Sequence, residues 1–187
     1  QQQQQQQQQR RRRSTAARPV GGRPPLAATM STFMELVDSD DPDELYELID
    51  EIAVGSYGSV YKARHLPSAS LVALKIMEPD EDEELDDFAA EIRVLKECKH
   101  ENITNFVGAY KKGDEIFIAM ELCDGGAAND IFKVEELPLP EPVIQAITKE
   151  SMIALEYMHK DRIVHRDIKA ANILLCTDGR VKLADFG

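Results

Sequence analysis

A chain of 187 residues, 43% hydrophobic and 30% charged, can bury one core but is too short for two comfortable domains. Its net charge of −12 is uneven: the first 29 residues hold six arginines and no acid, leaving 16 basic against 34 acidic residues in the remainder. An acidic body repels phosphates at long range, which excludes a general nucleic-acid binder.

The chain opens on nine glutamines and "RRRRSTAARPVGGRPPLAAT". This stretch has almost nothing to bury and is expected to be a disordered, solvated tail over residues 1–43. Met30 and Met34 are candidate starts, folded structure is expected from about Glu44, and the sequence reads as cut at both ends. Three cysteines, Cys98, Cys123 and Cys176, show no C-x-x-C spacing and read as free thiols of a reducing compartment. No apolar run reaches membrane-spanning length and no secretory signal precedes the first strand, so a cytoplasmic location is expected.

From Tyr46 the pattern turns strand-like: "YELIDEIAV", "SVYKARH" and "LVALKIM", separated by glycine or by the turn-like "LPSAS". The acidic run "EPDEDEELDD" is a linker or a helix start. A helix follows in "FAAEIRVLKECK", with Phe88, Ile92 and Leu95 on one face. Strands are expected in "NITNFVGAY" and "EIFIAMEL", joined by a hairpin at "KKGDE" and ended by "CDGG". A long helix runs from about Glu141 to Lys160 with Ile144, Ile147, Leu155 and Met158 as its apolar stripe. Short strands and loops close the chain in "RIVHRDIKAANILLCTDGRVKLADFG".

Four features carry chemistry. In "AVGSYGSV", Gly55 and Gly58 let backbone approach a phosphate, though a glycine hairpin alone is usually only a hairpin. Lys75 stands in the apolar "VALKI", where a lone lysine can simply snorkel from a strand edge. Glu91, three residues after Phe88 and four before Leu95, falls on the inward face of its helix. A buried carboxylate and a buried ammonium are each costly unpaired, so each argues for the other. In "HRDIKAAN", Asp167, Lys169 and Asn172 supply a carboxylate, a cation and a metal-capable amide, a set suited to phosphoryl transfer. Asp185, at a strand end, could cap a turn; with Asn172 it supplies oxygens suited to Mg²⁺.

In this order and spacing, the glycine loop, "VALK", the helix Glu91, "HRDIKAAN" and "DFG" resemble a eukaryotic protein kinase domain over about Glu44 to Gly187. Lys169 resembles the serine/threonine type. "DPDELYELIDEI", "YKAR", "LKECKHENI" and "HRDIKAANILL" are similar to the sterile-twenty group and its germinal-centre kinases, which act upstream in mitogen-activated cascades. The resemblance implies an α+β, two-lobed fold: a complete N-lobe of five antiparallel strands plus one helix (44–122), then a hinge and only the first part of a helical C-lobe (123–187).

It implies roles as well. Ile52, Ala53, Val54, Gly55, Ser56, Tyr57, Gly58 and Ser59 would form the loop over ATP, with Gly55 and Gly58 covering its phosphates. Val60 and Ala73 would sandwich the adenine from above, with Leu174 below. Lys75 would contact the phosphates, held by Glu91. Met120 would be the gatekeeper, and the backbones of Glu121 and Cys123 would bond adenine at the hinge. Asp167 would orient the substrate hydroxyl, Lys169 would face the transferring phosphate, and Asn172 and Asp185 would bind Mg²⁺. Leu95, Phe106, His165 and Phe186 would stack as a spine between the lobes.

Two departures stand out. Ala53 replaces the first glycine of the loop, which predicts a stiffer loop and weaker ATP binding. The sequence also ends at DFG, before the activation segment and substrate platform of the family, so the 187 residues by themselves are expected to be inactive and to expose Ile147 and Leu155. The expected activity is phosphorylation of protein serine or threonine by ATP, with a non-catalytic nucleotide-binding or interaction fragment as the alternative.

Overall fold

A computed structural model describes residues 33–55, 58–79, 82–135 and 138–185. Ser56, Tyr57 and Phe186, given roles above, Gly187 of the DFG run, and residues 1–32 of the expected tail, with the candidate start Met30, lie outside the described residues. Among the described residues, helix α1 (Pro42–Leu45) has its entry set by proline and by the Asp41 carboxylate, which accepts the Asp43 N–H at 3.0 Å. Five strands follow: β1 (Tyr46–Val54), β2 (Gly58–His65), β3 (Ser70–Met77), β4 (Phe106–Lys112) and β5 (Glu115–Glu121). They pair antiparallel in the order β1-β2-β3-β5-β4, as expected of the N-lobe. Between β3 and β4 the chain leaves the sheet to form α2 (Asp82–Glu97). The later part of the acidic run "EPDEDEELDD", from Asp82, is the start of this helix.

The register sorts the side chains onto two faces. Val60 lies opposite Lys75, and Lys75 opposite Ile118; Ala73 lies opposite Met120, and Met120 opposite Phe106. Directly opposed residues share a face, so all of these point to one side. There Ile118, Met77 and Ile116 join Phe88, Ala89, Ile92 and Leu95 of α2 in a buried cluster. The other face buries Ala63, Val72, Leu74, Phe117, Ala119 and Tyr110 beneath Tyr46. Tyr46 and Tyr110 meet edge-on with their hydroxyls 3.1 Å apart.

Residues 33–43, placed in the tail from sequence, pack against this body: Phe33 is fully buried and Leu36 and Val37 cover the α2-facing cluster. The expected strand from Asn102 begins only at Phe106. Asn102 and Thr104 are bonded elsewhere: Thr104 N–H donates to Leu183 O at 3.0 Å, and the Asn102 amide donates to Val181 O at 3.0 Å and to Glu150 at 2.9 Å.

Beyond the hinge lie β6 (Gly126–Ala127), α3 (Ala128–Glu135), α4 (Glu141–Lys160), a 3-10 turn (Ala170–Asn172), β7 (Ile173–Leu175) and β8 (Val181–Leu183). The three short strands form a sheet in the order β6-β7-β8. The limits of α4 are those expected, but its buried side is rotated. It buries Ile147, Ser151, Ala154 and Met158, while Ile144 is 48% exposed. The side chain of Ser151 joins that face by donating to Ile147 O at 2.8 Å, so its hydroxyl is satisfied within the helix. Ile147 is therefore buried and Leu155 half-buried, and the apolar groups left outside are Val143, Ile144 and Met152. Met152 and Leu155, with Glu156, His159 and Lys160, line an open depression of about 460 Å³. No helix among the described residues is long and apolar enough to cross a membrane.

Gly58 is the tightest point of the β2–β3 pairing. Its φ is 151°, and a Cβ there would sit 2.0 Å from the Ile76 carbonyl oxygen, a position only glycine tolerates. Gly58→Ala is expected to cost about 1–3 kcal/mol through overpacking. Chemical denaturation measures this, and an unchanged midpoint would mean that β2 and β3 are not in this register.

Candidate active site

Three elements far apart in sequence converge on the Lys75 ammonium. From the middle of β3 it donates to Glu91 Oε1 on α2 at 2.9 Å and to Asp185 Oδ1 beyond β8 at 3.0 Å. Lys75 and Glu91 are 18% and 13% exposed and Asp185 is 53% exposed, so the pair is inside and Asp185 forms the solvent-facing lip. Burial by itself would lower the Lys75 pKa, but the Glu91 and Asp185 charges outweigh it and hold Lys75 above the usual lysine range. Burial pushes the Glu91 carboxyl up, and Lys75 draws it part of the way back. Asp185 adopts φ of 65°, a left-handed backbone that costs an L-residue about 1–2 kcal/mol. Strain of this kind persists where surrounding contacts over-determine it.

The second group lies between α4 and β7. Lys169 Nζ is 2.5 Å from Asp167 Oδ2, and the Asn172 side-chain amide donates to Asp167 O at 2.9 Å and to Oδ2 at 3.1 Å. Asn172 is buried, and its backbone carbonyl accepts the Ala184 N–H at 3.0 Å, which ties the loop to the residue before Asp185. His165 is buried beside them and Nε2 donates to Ala184 O at 3.1 Å; burial holds its pKa below the ordinary value. Arg166 also takes a left-handed backbone, with φ of 69°. The loop after α4 and the strand end after β8 are thus one bonded unit.

The residues expected around a nucleotide lie on the Lys75 face of the sheet, in the β1–β2 hairpin, at the hinge and on β7. Val60, Ala73 and Met120 are half-buried on the sheet face that bears Lys75, and Leu174 is half-buried on β7 below the hinge. Ile52, Ala53, Val54 and Gly55 are exposed at the rim, and the β1–β2 hairpin closes with Gly55 N–H on Gly58 O at 2.8 Å. Ser59 is half-buried beside them. At the hinge, Glu121 N–H is taken by Asn105 O at 2.9 Å and Cys123 O accepts from Gly126 N–H at 3.3 Å. Of the expected spine, Leu95 is buried and Phe106 half-buried in the α2-facing cluster.

Sequence reasoning missed what braces the hinge. Lys182, 1% exposed at the centre of β8, lies 2.9 Å from Glu121 Oε2 and donates to Ile103 O at 3.3 Å. Arg180 reaches Glu121 Oε1 at 3.2 Å, and the Asn105 side chain donates to Oε2 at 2.7 Å. Burial would raise the Glu121 pKa, but Lys182, the Asn105 N–H and Arg180 hold the carboxyl below its usual range. The signal was available, because Lys182 in "VKL" is a cation in an apolar strand, as Lys75 is. Cys123 and Cys176 are both buried free thiols. Burial, then the neighbouring Cys176, push Cys123 up to about 12, so at neutral pH it is an unreactive thiol.

The family described as "Protein kinase domain" matches residues 46–187. Among curated proteins the chain is 48% identical over 160 residues to "Serine/threonine-protein kinase dst2" of Dictyostelium discoideum, covering 86% of this chain and 14% of that protein. It is 40% identical over 147 residues to "Serine/threonine-protein kinase 10" of Homo sapiens (79% and 15%) and 43% identical over 152 residues to "Serine/threonine-protein kinase 1" of Arabidopsis thaliana (81% and 18%). The chain thus spans less than a fifth of the length of these relatives.

Glu121→Gln leaves the buried Lys182 ammonium without its carboxylate and is expected to cost about 3 kcal/mol; adding Lys182→Met should recover most of it, as urea denaturation will read. Because the Glu121 pKa is depressed on folding, its contribution is fully present above the ordinary value of 4.5 and is lost as pH falls through its lower folded value. Wild-type stability should therefore fall more steeply with acid than that of Glu121→Gln. Equal slopes would remove the hinge brace.

Proposed function

The chain belongs to the protein kinase family, and on that footing we propose that it is the ATP-binding part of a serine/threonine protein kinase of the sterile-twenty group. The proposed reaction transfers the γ-phosphoryl group of ATP to a protein Ser or Thr hydroxyl. The observation that carries this reading is the meeting of Lys75, Glu91 and Asp185, with the residue before Asp185 bonded to the loop that holds Asp167, Lys169 and Asn172.

In this reading Lys75, held by Glu91, binds the α and β phosphates, and Gly55 and Gly58 let the hairpin backbone close over them. Adenine lies between Val60 and Ala73 on one side and Leu174 on the other, beside Met120. Its edge meets the hinge at the Glu121 carbonyl and the Cys123 N–H. Asn172 and Asp185 fit Mg²⁺ by donor chemistry, since both offer oxygen and the Asn172 amide nitrogen is turned to Asp167. Bound Mg²⁺ and ATP would supply the transferable phosphoryl group and neutralise the charge on it. Asp167 orients the substrate hydroxyl and takes up its proton, and Lys169 stabilises negative charge at the transferring group. A non-catalytic nucleotide-binding fragment is not favoured, because it leaves the Asp167–Lys169–Asn172 cluster without a task. Downstream kinases of a mitogen-activated cascade as substrates, and a cytoplasmic location, belong to the same proposal.

In the full-length protein Asp167→Asn is expected to lower turnover about 10²–10⁴-fold while an ATP analogue still binds with nearly wild-type affinity; retained turnover would overturn the role of Asp167. Lys75→Met should weaken both binding and turnover. Isothermal titration against the analogue and a phosphate-transfer assay separate the two effects.

A further inference from the structure

We propose that residues 33–38 form a strap that holds α2 in the position from which Glu91 reaches Lys75, which makes Phe33 a positioning residue for the site. What the site does rests on the kinase reading above; the strap itself does not.

Three independent contacts carry the inference. Phe33 is fully buried in the same cluster as Phe88, Ala89 and Ile92, the α2 residues that flank Glu91. Asp38 docks on the open edge of the five-stranded sheet: its N–H donates to Ala109 O at 2.6 Å and its Oδ2 accepts the Ala109 N–H at 3.3 Å. In the last turn of α2, Lys96 donates to Leu36 O at 2.6 Å, its ammonium 5.4 Å from the centroid of the Phe106 ring. The strap is therefore fastened to β4 at Asp38, to the last turn of α2 at Leu36, and to the α2-facing cluster at Phe33.

The consequence follows from geometry. The helix spans one lobe edge, and a rotation or shift of about one residue's rise, 1.5 Å, would break the 2.9 Å contact between Lys75 and Glu91. With that contact broken, both buried charges seek water, which favours an outward position of α2. Phe33 opposes this from the core side, and the Lys96 link opposes it at the C-terminal end. The Lys75–Glu91 contact and the strap thus hold the same element in one place.

The test measures amide hydrogen exchange and the affinity of a fluorescent ATP analogue with Mg²⁺, on the full chain. Phe33→Ala should speed exchange in residues 88–97 at least about tenfold while leaving residues 144–158 within about twofold. It should also weaken analogue binding, and Phe33→Leu should restore both readouts. In a Glu91→Gln background Phe33→Ala should weaken analogue binding no further, because both changes act through one contact. If Phe33→Ala does not fold, the pair Asp38→Ala with Lys96→Met loosens the strap without opening the core, and the same selective loss in 88–97 is expected. Unchanged protection of 88–97, an equal rise in both segments, or additive losses with Glu91→Gln would each overturn the strap. Failure of the wild-type protein to bind the analogue would overturn the kinase reading instead, with the exchange comparison still deciding the strap.

Discussion

A lysine ammonium in the middle of an apolar strand is the constraint around which the site is arranged. Lys75 is 18% exposed, so its charge needs partners close by, and it takes them from residues 16 and 110 positions away. Each partner fixes a different part of the fold. Glu91 ties α2 to the sheet, and Asp185 ties the end of β8 to the same point. The face of the sheet that carries Lys75 is also the one that packs α2, with Ile118 and Met77 beside it. Apolar burial and charge pairing thus demand the same placement of the helix, which is the agreement between levels that gives a single native arrangement.

A second buried cation does comparable work for the hinge. Lys182 is 1% exposed and sits between Glu121 and the Ile103 carbonyl. Glu121 is the last residue of β5, and its carboxylate is further held by Asn105 and Arg180. Gly125 lies so close to β7 that a Cβ would stand 2.8 Å from the Leu175 carbonyl oxygen. The Asp124 carboxylate accepts from Thr177 N–H at 2.9 Å and from its hydroxyl at 2.6 Å. The hinge is therefore a short segment pressed against the β6-β7-β8 sheet along several residues. A rigid backbone edge of this kind presents its polar groups already oriented, which lowers the ordering cost of binding a flat ligand.

Much of this was legible before any coordinates. Strand-like runs bounded by glycine or turn residues placed the five strands, the fourth with too early a start, and the inward position of Glu91 followed from Phe88 and Leu95 alone. The limits of α4 were readable from its apolar period and the prolines before it. Its buried face was not, because Ser151 and Ala154 take inward positions that a search for large apolar residues passes over. Short strands were expected near the end of the chain, where β7 and β8 lie, but the helix Ala128–Glu135, the two-residue β6 and the pairing of the three strands were missed, because so short a strand carries no period of its own. The stretch from Asn102 looked like a strand by composition, but Asn102 bonds to β8 and to Glu150 of α4, and Thr104 bonds to β8.

The sequence by itself determined which residue types stand in which order: a loop with glycines, a lysine in a strand, a glutamate on an apolar helix face, and the "HRDIKAAN" and "DFG" runs. Those are local facts, set by spacing and by the cost of burying unpaired charge. Which lysine pairs with which carboxylate was partly within reach, since Lys75 and Glu91 argue for each other. That Asp185 shares the same ammonium, that Lys182 braces Glu121, and that Phe33 reaches the α2 core were decided only by the tertiary structure. Each joins residues dozens of positions apart, and no periodicity in one segment encodes the partner that another brings.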